Sequence, residues 1–249
     1  MSSFPQALEA VEGVEGWLSE DQARRLFDAA RRVPPGGRIV EIGSYRGRSA
    51  IVLRKAAAPQ VELIAIDPHA GNDRGPRQLE GSGRQGEADH EAFQANLSRA
   101  DVLGSVRHVR LPSQAALDQV SGSVEVLYVD GAHRYGPARS DLVHWGARVA
   151  PGGRLLVHDA FSSVGVTLAL AREFMLARQF AYRGRSRSLA EYERVRSPLG
   201  GRARARNAVR QLAELPWFAR NVLIKVLVVV RLRRVAGWLG LRPGDEWPY

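Results

Sequence analysis

The feature that most constrains the fold is a regular alternation of short apolar runs with stretches of helical periodicity, which begins after residue 37. Short apolar runs separated by helices are typical of βαβ units, in which a parallel sheet is buried on both faces. The spacing predicts strands at residues 38–42, 61–66, 106–111, 124–129 and 154–158. It predicts intervening helices at residues 48–58, 87–100, 114–120 and 137–149.

The last part of the pattern completes the sheet. A helix is predicted at residues 164–178, and strand-like runs follow at 180–185 and 189–195 with a short polar link between them. A link this short favours an antiparallel hairpin at the sheet edge. The sequence therefore predicts an α/β fold with a doubly wound, mostly parallel seven-stranded sheet and an antiparallel edge hairpin.

Two further segments flank this core. Ser19 and Gln22 have the spacing of a capping box, which predicts a helix that stops at the Pro-Pro-Gly-Gly run of residues 34–37. Beyond residue 198 the composition becomes basic and apolar. We therefore divide the chain into an N-terminal helical cap (1–36), a central domain (37–198) and a C-terminal helical tail (199–249).

The positive charge of the chain is concentrated in the tail. The net charge is +10, and residues 202–242 hold ten basic residues against one acid, Glu214, which gives +9.

Residues 222–241 are strongly apolar but carry four basic residues, which excludes a transmembrane helix because charges near its centre are costly. Two alternatives stay open: an interfacial helix on a membrane surface, or a helix packed on the central domain or on a second subunit of a homo-oligomer. Nucleic acid is a less expected partner, because the apolar density exceeds what phosphate contacts require.

Composition restricts the kinds of site the chain can hold and the location expected for it. The chain has no cysteine, which excludes disulfides and thiolate metal sites. Its first residues show no basic stretch followed by an apolar run. The expected location is cytoplasmic, and peripheral at the inner face of the membrane if the tail binds lipid.

Polar and glycine residues follow the predicted strands, where ligands bind in open α/β sheets. The first strand ends in E-I-G-S-Y-R-G, residues 41–47, in which Gly43 and Gly47 permit a tight turn and close approach to a ligand. A dinucleotide fingerprint would have another glycine in the middle, and Glu41 would repel a pyrophosphate. A zwitterionic nucleotide cofactor suits the segment better. Asp67 could accept hydrogen bonds from ribose hydroxyls, and Ser113 and Gln114 could meet a base edge.

Five motifs in order resemble those of class I S-adenosylmethionine-dependent methyltransferases. They are E-I-G-S-Y-R-G-R-S-A (41–50), I-D-P-H (66–69), V-D-G-A-H-R-Y (129–135), P-G-G-R-L (151–155) and V-H-D (157–159). The chain looks like the catechol O-methyltransferase-like group, and most like metal-dependent enzymes that methylate sugars of natural products. The resemblance covers roughly residues 15–195. It implies S-adenosylmethionine as cofactor.

The resemblance also assigns roles along the cofactor. Glu41 and Gly43 would hold the methionine end. The residues that would line the same end are Ser44, Tyr45, Gly47 and Ser49. Asp67 would bind the ribose, Ser113 and Gln114 the adenine, and Asp130 would also border the cofactor.

The reaction end lies after the fourth and fifth strands. Asp130 and Asp159 end adjacent strands, and hard oxygen ligands of this kind suit Mg²⁺, which would bind the acceptor hydroxyl. His133 stands where sugar-modifying relatives place a histidine, and it is the expected catalytic base. In catechol-type relatives an asparagine ligand follows the second aspartate, whereas Ala160 follows it here. Water, or one of Asp73, Glu87, Asp89 and Glu91, would then complete the metal site; a metal-free enzyme is the alternative.

The function expected from these residues is an O-methyltransferase, Mg²⁺-dependent, acting on a hydroxyl of a sugar, glycolipid or secondary metabolite. The acceptor would be a small molecule or a lipid-linked compound. The alternatives are a noncatalytic membrane-associated cofactor-binding module and an RNA methyltransferase recruited by the basic tail. The glycine-rich polar loop of residues 69–88 is expected to be an active-site lid or disordered.

Overall fold

A computed structural model describes residues 1–71 and 83–240 of the chain. Seven strands form one sheet with the order β3-β2-β1-β4-β5-β7-β6. The strands are β1 (Arg38–Ile42), β2 (Glu62–Ile66), β3 (Val106–Val109), β4 (Val124–Val129), β5 (Val149–Val157), β6 (Phe180–Ser186) and β7 (Leu189–Arg194). The pairs among β1 to β5 are parallel, whereas β7 pairs antiparallel with both β5 and β6. The predicted fold class is confirmed.

Helices cover both faces of the sheet and the two ends of the chain. They are α1 (Phe4–Glu9), α2 (Glu20–Arg31), α3 (Arg48–Ala56), α4 (Gly83–Arg99), α5 (Tyr135–His144), α6 (Val164–Phe174), α7 (Gly201–Leu212), α8 (Leu215–Val229) and α9 (Arg233–Trp238). One apolar core cluster joins the cap helices and α3 to one face of the sheet. A second joins α5 and α6 to the other face. The strands are thus buried on both sides, as their apolar runs predict.

Several boundaries differ from the sequence prediction, and three of the differences bear on the site or the sheet. The helix predicted at residues 114–120 is wrong: the chain there makes only a 3-10 turn, Leu117–Gln119. The hydroxyl of Ser113 and the amide of Gln114 are instead bound by the buried side chain of Asp141, which ties the start of this segment to α5. In addition, β5 begins five residues earlier than predicted, and α4 begins at Gly83.

The N-terminal cap is anchored to the core by its predicted capping box. The backbone N–H of Ser19 donates to Gln22 Oε1 at 2.9 Å. The Nε2 group of the same glutamine donates to the buried Ser188 Oγ at 3.0 Å, so the cap also reaches the turn between β6 and β7. The segment between α1 and α2 is thereby held beside the carboxyl end of β1.

The tail docks on the domain through polar side chains. Asn207 Oδ1 accepts from the backbone N–H of Tyr182 at 2.7 Å, and Gln211 Oε1 accepts from the hydroxyl of Tyr192 at 3.1 Å. Farther along, Asn221 Nδ2 donates to the carbonyl oxygen of Phe161 at 3.3 Å. Both asparagines and the glutamine are buried. The inward face of α7 and α8 is therefore a hydrogen-bonding face, which apolar periodicity alone does not predict.

Candidate active site

A cavity of about 370 Å³ opens at the carboxyl ends of β1, β2 and β4. This is the edge at which ligands bind in doubly wound sheets. Most of the predicted site residues line it: Gly43, Ser44, Tyr45, Ser49, Asp67, Ser113, Gln114, Asp130 and His133. The structure therefore brings together residues that lie up to 90 positions apart in the sequence.

The turn after β1 is shaped by Gly43. Its φ angle is +85°, in the left-handed region that favours glycine. A Cβ atom at this position would lie 2.2 Å from the carbonyl oxygen of Asp130. Gly47, at φ +86°, begins α3, and a Cβ there would lie 2.4 Å from the Leu97 side chain. Both glycines are required by the close packing around the loop.

Asp67 organises the same loop through its carboxylate. Its Oδ2 atom accepts from the backbone N–H groups of Ser44 at 2.9 Å and Tyr45 at 2.8 Å. Its Oδ1 atom accepts from the N–H of His69 at 2.8 Å. Two of the four lone-pair positions of this carboxylate are thus used on Oδ2 and one on Oδ1. One position is left for a ribose hydroxyl, so Asp67 both shapes the loop and retains limited capacity for a ligand.

Glu41 is fully buried next to this loop. Neither carboxyl oxygen has a hydrogen-bond partner among the described residues. Burial raises the pKa of Glu41 to about 8, and the hydroxyls of Ser49 and Ser44 offset part of that rise without completing a hydrogen bond. An orphaned buried carboxyl behind the cavity wall fits the approach of a cationic group, such as the ammonium of S-adenosylmethionine.

The expected adenine contacts have a partner that the sequence analysis missed. Ser113 Oγ donates to Asp141 Oδ1 at 2.5 Å, and Gln114 Nε2 donates to the same oxygen at 2.9 Å. Burial raises the pKa of Asp141, while these two hydrogen bonds act in the opposite direction. Asp141 also lines the cavity, so it holds both residues in place and offers its own carboxyl. An acid inside a helix gives no motif by which sequence alone would identify it.

The N-terminal cap closes one side of the cavity. This contact was not predicted from the sequence. Trp17 packs on Tyr45 with 5.4 Å between ring centroids, and the Tyr45 hydroxyl donates to Glu15 Oε1 at 3.0 Å. Arg46 pairs with Glu15 and, through Nε, with Asp89 Oδ1 at 2.9 Å. These contacts secure the loop after β1 against the cap. Trp17, directly after Gly16, was the only signal available in the sequence.

At the reaction end, Asp130 is held by its own strand and by β5. The hydroxyl of Tyr128 donates to Asp130 Oδ2 at 2.8 Å, and His158 Nδ1 lies 3.2 Å from Asp130 Oδ1. Burial and the Asp130 charge raise the pKa of Tyr128 well above its usual value, so its proton stays on the phenol. Tyr128 lies two residues before Asp130 on β4, which fixes the carboxylate at the cavity wall.

His133 and Asp159 form a close ionisable pair at the reaction end. His133 Nε2 lies 2.5 Å from Asp159 Oδ2, and the Asp159 side chain is nearly buried. Burial acts to raise the pKa of Asp159, but the His133 hydrogen bond and the charges of His158, His133 and Lys225 hold it below its usual range. Asp159 has a positive φ of +54°, an uncommon backbone conformation for this residue type.

Lys225 connects this pair to the tail. The lysine belongs to α8 and donates from Nζ to the carbonyl oxygen of Ser162 at 3.0 Å. Burial lowers the pKa of Lys225, and the nearby Asp159 charge acts in the opposite direction. A basic residue of the tail therefore contributes to the electrostatics of the reaction end. The sequence analysis treated this lysine only as an interruption of an apolar run.

These contacts do not fit the Mg²⁺ site expected at Asp130 and Asp159. One oxygen of Asp159 is paired with His133, one oxygen of Asp130 accepts from Tyr128, and Ala160 supplies no ligand. Among residues 1–71 and 83–240, no group of three His, Asp or Glu side chains could hold a metal ion. Of the proposed third ligands, Asp89 pairs with Arg46 and Glu87 pairs with Arg110. Asp73 lies outside the described residues, as does most of the loop expected to act as a lid.

Three further histidines cluster beside Asp67. The rings of His69, His90 and His108 lie 5.1 Å from one another, and Phe93 packs against His69 and His108. Burial lowers the pKa of His108 to about 4, assisted by the charges of His69 and His90. His69 is buried, although it follows a strand at the start of a polar loop. The cluster packs the space between β2, β3 and α4.

Comparison with known proteins agrees with this site. Residues 40–160 match the profile of a family described as "Methyltransferase domain". An uncharacterized protein of Sinorhizobium fredii is 29% identical over 126 residues, which are 49% of this chain and 13% of that protein. The chain thus spans a small part of that relative's length.

Several solved structures share the fold. The O-methyltransferase NovP is 19% identical with a TM-score of 0.56, over 72% of this chain and 81% of its own. The O-methyltransferase TomG from Streptomyces achromogenes, solved with S-adenosylmethionine, is 18% identical with a TM-score of 0.51, over 76% of this chain and 86% of its own. The calicheamicin methyltransferase CalS11 is 15% identical with a TM-score of 0.51, over 78% of this chain and 94% of its own.

The family match, the sheet order and the ordered motifs agree with one another. Residues 40–160 match a methyltransferase domain, and they lie within the seven-stranded sheet described above. The methyltransferase resemblance read from the five motifs is confirmed by the family match over residues 40–160, and solved structures named as O-methyltransferases share the fold.

Proposed function

We propose that the chain transfers the methyl group of S-adenosylmethionine to a hydroxyl oxygen, with His133 as the base and Asp159 as its positioning partner. The observation that carries the proposal is the 2.5 Å contact between His133 Nε2 and Asp159 Oδ2 at the cavity that the cofactor residues line. A histidine oriented by a buried carboxylate is a common arrangement for removing a hydroxyl proton.

His133 and Asp159 are sufficient to take up the proton that the acceptor hydroxyl loses during methyl transfer. With Asp159 ionised, Nε2 carries the shared proton, and Nδ1 is the ring atom that accepts the hydroxyl proton of the acceptor. When bound, S-adenosylmethionine would supply an electrophilic methyl group to the acceptor oxygen and would leave as S-adenosylhomocysteine. His133 would take the proton that the acceptor hydroxyl loses. Asp159 stabilises the imidazolium that results.

The cofactor assignment is supported by the chemistry of the cavity. Glu41 offers an unpartnered carboxyl for the ammonium, and Gly43 lets the loop after β1 pack closely against the backbone of Asp130 at the cavity wall. Asp67 keeps one acceptor position for the ribose, and Asp141 with Ser113 and Gln114 forms a polar group suited to the adenine edge.

The expectation of Mg²⁺ dependence is not supported by the contacts of Asp130 and Asp159. We propose instead that Lys225 provides a positive charge near Asp159, and that His133 becomes cationic only after it has taken the proton of the acceptor. The acceptor class follows from the resemblance to sugar-modifying enzymes and from neighbours whose names place them in tomaymycin synthesis and among calicheamicin methyltransferases. We propose a hydroxyl of a sugar, glycolipid or other secondary metabolite.

The proposal is tested by measuring S-adenosylhomocysteine formation with a panel of sugar, glycolipid and phenolic acceptors. We expect His133→Ala to lower kcat by about 10²- to 10⁴-fold, with an unchanged Kd for S-adenosylmethionine in calorimetry. His144→Ala is the matched control, because His144 is exposed on the neighbouring helix α5 and should leave kcat unaltered.

Two results would contradict the proposal. If His133→Ala keeps full activity across pH, the base is another group. If EDTA abolishes turnover and Mg²⁺ restores it, the metal-free assignment is wrong and Asp130 and Asp159 bind a metal. Cofactor binding with no transfer to any acceptor would instead favour a noncatalytic binding module.

A further inference from the structure

Helix α8 places two polar residues beside apolar ones on its inward side, and it leaves a second set of apolar residues exposed on its outer side. Asn221, Ile224 and Lys225 face the domain, and the two polar residues among them donate to carbonyl oxygens of the loop after β5. The opposite side of the helix is exposed and carries Leu215, Leu223, Val226, Val229 and Val230. A surface helix of a water-exposed protein normally carries polar residues on its outer side.

The apolar surface continues beyond α8. Helix α9 folds back on α8, and Ile224 and Ala236 form a small core between them. The outer side of this hairpin leaves Leu232, Val235 and Trp238 exposed, with Trp238 87% exposed. We call the exposed apolar residues of α8 and α9 the outer tail face. An apolar patch of this extent marks a contact surface.

Basic residues surround the outer tail face, and no acid interrupts it. Arg231, Arg233 and Arg234 are exposed at the junction of α8 and α9, and Arg202, Arg206 and Arg210 are exposed on α7. The one acid of residues 202–240, Glu214, points inward, where it accepts from Tyr182 and pairs with Arg185 at 2.7 Å. The surface is therefore both apolar and purely cationic.

The combination of apolar and cationic residues favours an anionic lipid surface over a second copy of the chain as the partner. A second copy of the chain would bring the same +9 segment against the first, and the like charges would oppose association. A surface of anionic lipid offers an apolar interior for the valines and leucines, and negative headgroups for the arginines. The exposed Trp238 suits the headgroup level of a bilayer.

The length of the tail helices determines how they would meet a bilayer. Among the described residues, none of the helices is both long and apolar enough to cross a membrane. The 15 residues of α8 extend over about 22 Å, less than the hydrocarbon thickness of a bilayer. The inward hydrogen bonds of Asn221 and Lys225 also keep the helix parallel to the domain surface. An interfacial position satisfies these limits.

We propose that the outer tail face binds the protein peripherally to anionic membrane surfaces. This property is separate from methyl transfer, because the outer tail face is opposite to the side of α8 that contacts the reaction end. The sequence analysis left membrane binding and packing on the domain as alternatives. The structure assigns them to opposite sides of the same helix.

The test uses the full chain and co-sedimentation with vesicles of phosphatidylcholine alone or mixed with a minor share of phosphatidylglycerol. We expect binding to the mixed vesicles, weakened by salt, and little binding to the neutral ones. Leu223→Ser, Val226→Ser and Val230→Ser together should weaken binding by about tenfold or more. Arg231→Gln with Arg234→Gln should weaken it by about thirtyfold at low salt.

A matched variant removes three exposed apolar side chains elsewhere: Leu103→Ser, Leu168→Ser and Leu176→Ser, which should leave vesicle binding unchanged. The proposal is overturned if the full chain stays in solution with both vesicles at low salt. It is also overturned if the tail serines and the matched serines behave alike. A concentration-dependent dimer that the tail serines dissociate, without vesicle binding, would assign the face to a second copy. Salt-sensitive binding to RNA, with none to vesicles, would assign it to nucleic acid.

Discussion

The two ends of the cavity are built in different ways. At the cofactor end, Gly43, Asp67 and the backbone N–H groups of Ser44 and Tyr45 form a rigid loop from two adjacent strand ends. At the reaction end, His133 and Asp159 are side chains whose positions depend on residues from β4, β5 and the tail. The first end is fixed by backbone geometry and the second by ionisable side chains.

The difference has a consequence for substitutions. A backbone-built site fails when its geometry is disturbed, because there is no side chain to readjust. A side-chain site changes gradually with the charge around it, because each neighbour contributes a part of the electrostatic field. Changes to the backbone of the cofactor end should therefore abolish binding, whereas changes to ionisable side chains should shift rate or pH dependence.

The largest effect is expected for Gly43→Ala. The new Cβ would lie 2.2 Å from the carbonyl oxygen of Asp130, at a φ of +85°. We expect loss of S-adenosylmethionine binding in calorimetry, and destabilisation beyond the roughly 1 kcal/mol of a strained φ alone.

Gly36→Ala is the control, because Gly36 has a φ of +80° and a Cβ there would meet nothing within 4 Å. It should show the cost of the backbone conformation alone, with cofactor binding intact. Equal effects of the two substitutions on the melting temperature and on binding would show that close packing at Gly43 does not matter.

The cofactor end could be predicted from sequence because its parts are local. Strand ends, the glycine positions and Asp67 follow directly from the apolar runs and their spacing. The predicted strand limits of β1 and β4 agree with the structure to the residue. Ser113 and Gln114 were placed correctly at the cavity even though the helix assigned to them was wrong.

The remaining site residues depend on tertiary contacts that no local pattern reports. Asp141 is an acid within a helix, and its role appears only when α5 packs beside the loop after β3. Lys225 lies 66 residues after Asp159 and reaches it only because the tail docks through Asn221. On α8, Asn221 is buried while Leu223 and Val226 are exposed, which apolar periodicity alone does not predict.

A second prediction concerns the ionisation of Glu41. Burial raises the pKa of Glu41 to about 8, so the carboxyl is protonated in the free protein at pH 7. An arriving ammonium favours the charged form, so binding of S-adenosylmethionine should release a proton from Glu41. The Kd should fall as pH rises from about 6 to 8, by up to tenfold per pH unit, and calorimetry in buffers of different ionisation enthalpy should detect the proton.

Stability of the free protein should change in the opposite sense. The folded pKa of Glu41 lies above its unfolded value of 4.5, so the folded state binds more protons between pH 4.5 and about 8. Stability therefore falls with pH across this window, by at most about 1.4 kcal/mol per unit. Glu41→Gln should remove both effects, whereas Glu62→Gln, at the opposite end of the neighbouring strand beside Arg38, should keep them. Proton release that persists in Glu41→Gln would assign it to another group.

The smallest effect is expected at the border between tail and reaction end. Lys225→Met removes a cation that helps to hold the pKa of Asp159 below its usual range. The hydrogen bond to the Ser162 carbonyl is lost as well. We expect kcat/KM to fall by about two- to tenfold, and the acid limb of its pH profile to move to higher pH by less than one unit, because loss of a neighbouring positive charge favours protonation of both Asp159 and the base.

Lys225→Arg keeps the charge and should keep the pH profile even if its longer side chain lowers the rate. This pairing separates an electrostatic role from simple docking of the tail, because docking is also supported by Asn221 and Ile224. A Lys225→Met variant with a lower rate but an unshifted profile would reduce the lysine to a structural contact. In that case only His133 and Asp159 would determine the pH dependence of the reaction end, and the tail would act only through its outer face.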